Sequence, residues 1–197
     1  IFNYDDLYKM LDDNSKILVE SEIKFTPSYE EKMTIGQFLG TRQNLINTGE
    51  GLGISIQWDM NIPNTMGNKG WTSNYNNLKP ILLFGDSPLI YFHPKLNQLF
   101  VNIKYRVHEQ YFEYEQLKID VKLQRWNNYL VTFNNRNVNI YVNNKLENSK
   151  TLNNVPIIST ESNKFVQIGE KNNNMIGKIN NLVIYFRYIN PKEVLNL

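Results

Sequence analysis

The chain has 197 residues, 41% of them hydrophobic and 20% charged, which is enough apolar material for one sizeable core. Twenty-one Lys and Arg against 19 Asp and Glu leave a formal charge of +2, too little for a protein that holds nucleic acid through bulk electrostatics. With no Cys there are no disulfides, thiolate metal sites or Cys nucleophile, and with only His93 and His108 there is no multi-His zinc site.

Along the chain, Leu7, Met10 and Leu11 have helical spacing after Asn3, so residues 1–16 read as an N-terminal arm or short helix. Residues 17–25 alternate as a strand, with Ile17, Val19, Ser21, Ile23 and Phe25 on one face. The stretch 26–53 holds Gly, Thr and short apolar pieces such as Ile35–Leu39. The clearest alternation is at 54–60: Ile54, Ile56, Trp58 and Met60 face in, Ser55, Gln57 and Asp59 face out, and Pro63 closes the strand. Residues 61–79, rich in Asn and Gly, read as one long exposed loop. Strands resume at 81–84, 89–92, 99–107 and 114–121, with turn chemistry at Gly85–Pro88 and His93–Lys95. Residues 129–133 and 138–142 form a hairpin about Asn134–Asn137, and Asn143-Asn144 turns the chain again. Strands at 165–168 and 179–186 follow, and Asn190-Pro191 opens one short closing helix.

The 31 Asn and the complete absence of Ala point the same way. Ala is the best helix former and Asn a poor one, so the chain is not mainly helical, and the roughly dozen short strands with turns between them make the fold class all-β, an antiparallel sandwich. AT-rich coding DNA produces the same bias, leaving the Asn residues to turns and solvent-facing positions. None of the 31 Asn lies in an Asn-x-Ser/Thr sequon. That absence and the missing Cys favour a virion or the cytoplasm over secretion. The Ile1-Phe2 start fits a fragment or processed product, with a membrane anchor upstream left open.

Four pieces in fixed order resemble the laminin-G-like branch of the concanavalin A-like lectin/glucanase superfamily. They are Ile56-Gln57-Trp58 with Pro80–Gly85, Arg125-Trp126 through Phe133, Val138–Leu146, and Val166–Gly169 with Gly177–Tyr185 and the Asn190–Val194 tail. The family's usual Tyr-Val-Asn-Gly has Asn144 in place of Gly, which also accepts a left-handed turn. The resemblance covers 17–197 and implies a jelly roll of about 12–14 strands. Trp126, ahead of an alternating strand, reads as a core or inter-sheet plug.

Candidate chemistry is sparse. Glycosidases of this superfamily carry Glu-x-Asp-x-x-Glu along one strand, and the nearest pairs here are Glu20/Glu22 and Glu113/Glu115, both expected on solvated strand faces. No cofactor is expected, though Asp86, with Asp59 approaching, could offer Ca²⁺ one or two oxygens at a sandwich rim. Trp71, Asn74 and Tyr75 form a loop that either stacks on a sugar ring and anchors a partner, or folds over the core. Lys118, Lys122 and Arg125 alternate with Leu117, Ile119, Val121 and Leu123, either as a cationic face for an anionic glycan or partner, or as edge-protecting charges.

The expectation is a non-catalytic interaction or structural module binding a protein partner through its loops. The composition and the resemblance together suit a virion-associated protein of a large DNA virus. The alternative is a carbohydrate-binding module, and a glycoside hydrolase ranks last.

Overall fold

The computed structural model describes residues 15–40, 53–64, 76–108 and 110–196. The expected N-terminal helix, most of the 61–79 loop, and Trp71, Asn74 and Tyr75 lie outside these residues. Among the described residues, thirteen strands form two antiparallel sheets. One has the order β1 (Ser15–Val19), β13 (Gly177–Tyr185), β4 (Gly53–Asn61), β9 (Trp126–Asn134), β10 (Asn137–Val142) and β11 (Lys145–Thr151), with β2 (Ile23–Phe25) also on β13. The other has the order β3 (Glu31–Thr34), β12 (Phe165–Ile168), β5 (Lys79–Phe84), β6 (Leu89–His93), β7 (Gln98–His108) and β8 (Tyr111–Asp120). The all-β sandwich read from the sequence is the fold observed.

The core lies between the sheets. Ile54, Ile56, Trp58 and Met60 of β4 face Ile81, Phe84, Ile90, Phe92, Val101 and Ile103 across it, all essentially without solvent contact. Trp58 pairs with Tyr129 in register and stacks on it, with centroids 5.3 Å apart and planes 15° apart. The sandwich is clasped at one side, where Lys150 of β11 pairs with Glu115 of β8 at 3.6 Å and Asn148 Nδ2 donates to the Lys118 carbonyl at 2.9 Å.

Four sequence expectations need correction. The strand expected over 17–25 is two strands, β1 and β2, parted by a bend at Glu20–Ser21. Both pair with β13, and a register shift lies between Ile17 and Val19. Ile35–Leu39 is a helix, α1, with Thr34 as N-cap: its hydroxyl accepts from Gln37 N at 3.1 Å, and the Gln37 side chain accepts from Thr34 N. That capping box, Thr-x-x-Gln ahead of an apolar run, was readable from the sequence. Trp126 is no plug: it is 41% exposed, because β9 turns its inward positions at Tyr129, Val131 and Phe133. Ser55, expected outside, is buried.

Ser55 is buried because the C-terminal segment crosses the outer face of the seven-stranded sheet. Ile189 and Val194 there cover Leu130, Tyr141, Val183 and Tyr185 in a second apolar cluster. The closing helix α2 (Pro191–Val194) has the expected Asn190 cap and Pro191 start. The Ser55 hydroxyl donates to the Arg187 carbonyl at 3.0 Å and accepts from Ile189 N at 2.9 Å. Ser55→Ala leaves both backbone groups without that partner, and should lower stability by about 1–3 kcal/mol. Urea unfolding checks this, and an unchanged midpoint would show that the tail is not pinned there.

Candidate functional site

The β7–β8 hairpin turns between His108 and Tyr111, and its register fixes which side chains sit side by side. Val101, Ile103, Tyr105, Leu117 and Ile119 point into the core, so the intervening residues line the outer face of the six-stranded sheet. Arg106 lies opposite Phe112, Lys104 opposite Tyr114, Asn102 opposite Gln116, and Phe100 opposite Lys118. In three of these four pairs a cation stands beside a ring. Lys104 Nζ lies 4.5 Å from the Phe112 centroid and 5.9 Å from that of Tyr114. The Arg106 guanidinium is 5.6 Å from Phe112, and Lys118 Nζ is 5.0 Å from Phe100. The remaining pair is amide to amide, Gln116 Nε2 donating to Asn102 Oδ1 at 2.8 Å. Tyr114 is 59% exposed, an unusual setting for so large a ring.

A recess of about 370 Å³ lies beside this ladder, lined by Leu83, Gly85, Asp86, Lys164, Phe165 and Gln167 among others. Asp86 joins recess and ladder: its carboxylate is hydrogen-bonded by Lys164 and lies 3.6 Å from Lys104 Nζ. The Gly85 turn that carries it is held by Asp86 N donating to Ser159 Oγ at 2.8 Å. Phe165, half-exposed, closes the far wall.

The hydrogen bond from Lys164 holds the Asp86 carboxyl below the ordinary carboxylate range, and Asp86 in turn raises the Lys164 ammonium. An unfolded Asp takes up its proton near pH ~4, while folded Asp86 does so at lower pH. The ion pair therefore contributes stability at neutral pH and loses it as pH falls through that interval. Because the side chain is 41% exposed, solvent weakens the effect. Asp86→Asn should lower neutral-pH stability by a small amount and flatten the acid limb of a thermal-stability profile below about pH 4, the variant and the parent converging at the acid end. An identical acid limb in the variant would refute the assignment.

The other sequence candidates are placed as follows. Asp59 is in β4, in the opposite sheet from Asp86, and accepts from Asn128 Nδ2 at 2.9 Å and Asn181 Nδ2 at 2.6 Å. The two acids considered for Ca²⁺ are thus not brought together, and no group of three or more His, Asp or Glu that could hold a metal occurs among the described residues. Of the basic candidates, Lys118 lies on the ladder, whereas Lys122 and Arg125 sit in the β8–β9 connection. Their carbonyls accept from Asn127 Nδ2 at 2.8 and 3.3 Å.

Glu113 accepts from Tyr105 OH at 2.6 Å, Glu115 pairs with Lys150, and Glu22 pairs with Lys178 at 2.6 Å. These acids staple structure and do not flank an open cleft. Sequence reasoning missed Lys104, Phe112 and Tyr114 as one surface. The signal was the hairpin register, which sets position 104 opposite 114 once the turn is placed.

The fold has many solved counterparts. The botulinum neurotoxin type G receptor binding domain is 15% identical, with a TM-score of 0.56 over 92% of this chain and 45% of that one. The binding domain of Paraclostridial Mosquitocidal Protein 1 is 15% identical, with a TM-score of 0.58 over 92% and 46%. The binding domain of botulinum neurotoxin DC, solved in complex with SialylT, is 16% identical, with a TM-score of 0.59 over 91% and 44%. The chain spans less than half the length of each, and at these identities the likeness is one of fold. No curated protein sequence matches the chain. The laminin-G model of the Concanavalin A-like lectin/glucanases superfamily matches residues 72–195, from just before β5 to the end of α2, so the chain belongs to that superfamily.

Proposed function

We propose that the chain is a non-catalytic carbohydrate-binding module. The observation that carries this is the outer face of β7–β8, where Phe112 and Tyr114 stand exposed beside the Asn102–Gln116 amide pair. Rings stack on the C–H faces of sugars and amides pair with hydroxyls, while a hydrolase would need two free carboxylates facing one cleft. Trp71, Asn74 and Tyr75 belong to the same reading as a second contact from the preceding loop. Support also comes from the binding domains that share the fold, one of them in complex with SialylT. A glycan array tests the proposal. Reproducible binding of an oligosaccharide, weakened by Tyr114→Ala or Trp71→Ala, is expected, and an array without a hit would sink it.

A second reading keeps the module as a protein-binding or virion-associated part. It rests on the composition and on apolar side chains such as Tyr111, 57% exposed at the start of β8. Fractionation decides it: recovery of the chain in particles supports the role, and recovery in soluble fractions alone removes it.

A further inference from the structure

The cations on the ladder say which sugars it would take. We infer that the β7–β8 face is a linear site for an acidic oligosaccharide, one bearing carboxylate or sulfate groups, and this rests on the carbohydrate-binding reading. Arg106, Lys104 and Lys118 all stand on this face; of the three acids of β8, Glu113 and Glu115 alternate to the other face, and Asp120 accepts from Gln98 Nε2 at 2.9 Å beyond the Phe100–Lys118 pair. Lys104 is shared with Asp86. Arg106 and Lys118 have no ion pair among the described residues; each lies only over a ring, Phe112 and Phe100 respectively. Arg106, Lys104 and Lys118 outnumber the Asp120 carboxylate on this face, so its local charge is positive on a chain whose charges nearly cancel.

The spacing also has meaning. Arg106 and Lys118 mark the two ends of a run of seven residues, six steps or about 20 Å, which is the length of roughly four sugar units. Between them lie the open Tyr114 ring and the amide pair. The arrangement is anion contact, stacking surface, hydroxyl contacts, anion contact. That matches a chain whose negative groups recur along its length, and not a single charged residue held in a pocket.

The test is calorimetric titration of the whole chain with four probes: hexasaccharides of hyaluronan (carboxylate) and heparin (sulfate), the neutral hexasaccharide of cellulose, and poly-glutamate as an acidic chain without sugar rings. Binding to at least one acidic hexasaccharide, and none to the neutral one, is expected. Whether hyaluronan or heparin binds tells which anion the site reads. Arg106→Gln and Lys118→Gln should each weaken that binding about tenfold, the loss of one charge-assisted contact. Tyr114→Ala should weaken it comparably while leaving poly-glutamate unaffected. All three residues lie on an exposed face, so unchanged thermal unfolding of the variants is part of the expected result.

Equal binding of the neutral sugar would overturn the acidic specificity and leave the carbohydrate reading standing. Acidic-sugar binding indifferent to all three substitutions would overturn the site. Poly-glutamate bound as tightly as the sugars, with Tyr114→Ala silent, would make the face a plain charged patch for an acidic protein and refute the inference. No binding of any sugar, here and on the array, would remove both proposals together.

Discussion

Trp58→Ala should lower the stability of the chain by about 3–5 kcal/mol, the largest loss expected from any single core truncation. Trp58 is wholly buried in β4, one of the central strands of the seven-stranded sheet, and its ring stacks on Tyr129 of the neighbouring strand. Removing it deletes a large apolar contact and leaves a cavity that two flanking strands, hydrogen-bonded along their length, cannot collapse to fill. Part of the native contribution is already offset, because Trp58 Nε1 and Tyr129 OH are buried without a hydrogen-bond partner among the described residues. That distinction makes the comparison with Tyr129→Phe informative. The hydroxyl has no hydrogen-bond partner among the described residues and burial raises its pKa, so Tyr129→Phe should leave stability unchanged or raise it by about 1 kcal/mol. Denaturant unfolding of both variants measures the pair. A mild Trp58→Ala, or a Tyr129→Phe that costs as much as a lost hydrogen bond, would contradict this account of the core.

Gly85→Ala should cost about 2–4 kcal/mol although it adds a single methyl group. Gly85 has φ +56°, where a Cβ is itself unfavourable, and a Cβ built there would overlap Cβ and Oγ of the buried Ser159. Ser159 cannot move freely, since its backbone N donates to the Ser87 carbonyl and its hydroxyl accepts from Asp86 N. The substitution must therefore break the bond that holds Asp86 against Lys104 and Lys164. It should weaken ligand binding at the ladder as well as stability, which a surface substitution would not do. Ser159→Gly in the Gly85→Ala background removes the steric part and should recover about half of the loss, leaving the backbone strain. If the two substitutions simply add, the close approach is not the cause.

Much of this fold was legible because its central strands have one buried face. The alternation at 54–60 is the register of β4, and Asn143-Asn144, both at positive φ, form the turn that the hairpin pattern required. Among the described residues, six of the seven non-glycine positions at positive φ are Asn. The composition supplied Asn in abundance, and the fold spends part of that supply where only Gly would otherwise fit. Less legible were places where tertiary context reverses a local pattern. Ser55 looked solvated because nothing local to 54–60 foretells that Ile189 and Val194 will lie over it. Trp126 looked like core because of its size and its position ahead of a strand, yet strand parity decides which way it points. The site was half legible for the same reason: Lys118 is visible in its own strand, but Lys104 and Tyr114 become one surface only through pairing between strands, which composition and spacing do not display.

The clasp between β8 and β11 bears on how the chain behaves in bulk. A molecule with a net charge of only +2 has little long-range repulsion to keep its copies apart. Dispersal then depends on the sheet edges. β11 offers an edge of Lys145, Glu147 and Lys150, alternating in sign and solvent-exposed, while Asn148 and Lys150 draw the neighbouring edge of β8 against it. Protection of this kind acts at contact distance, so added salt, which removes long-range repulsion between like-charged molecules, has little here to remove. With so small a net charge and edge protection of this contact range, the chain's solubility should depend only shallowly on ionic strength.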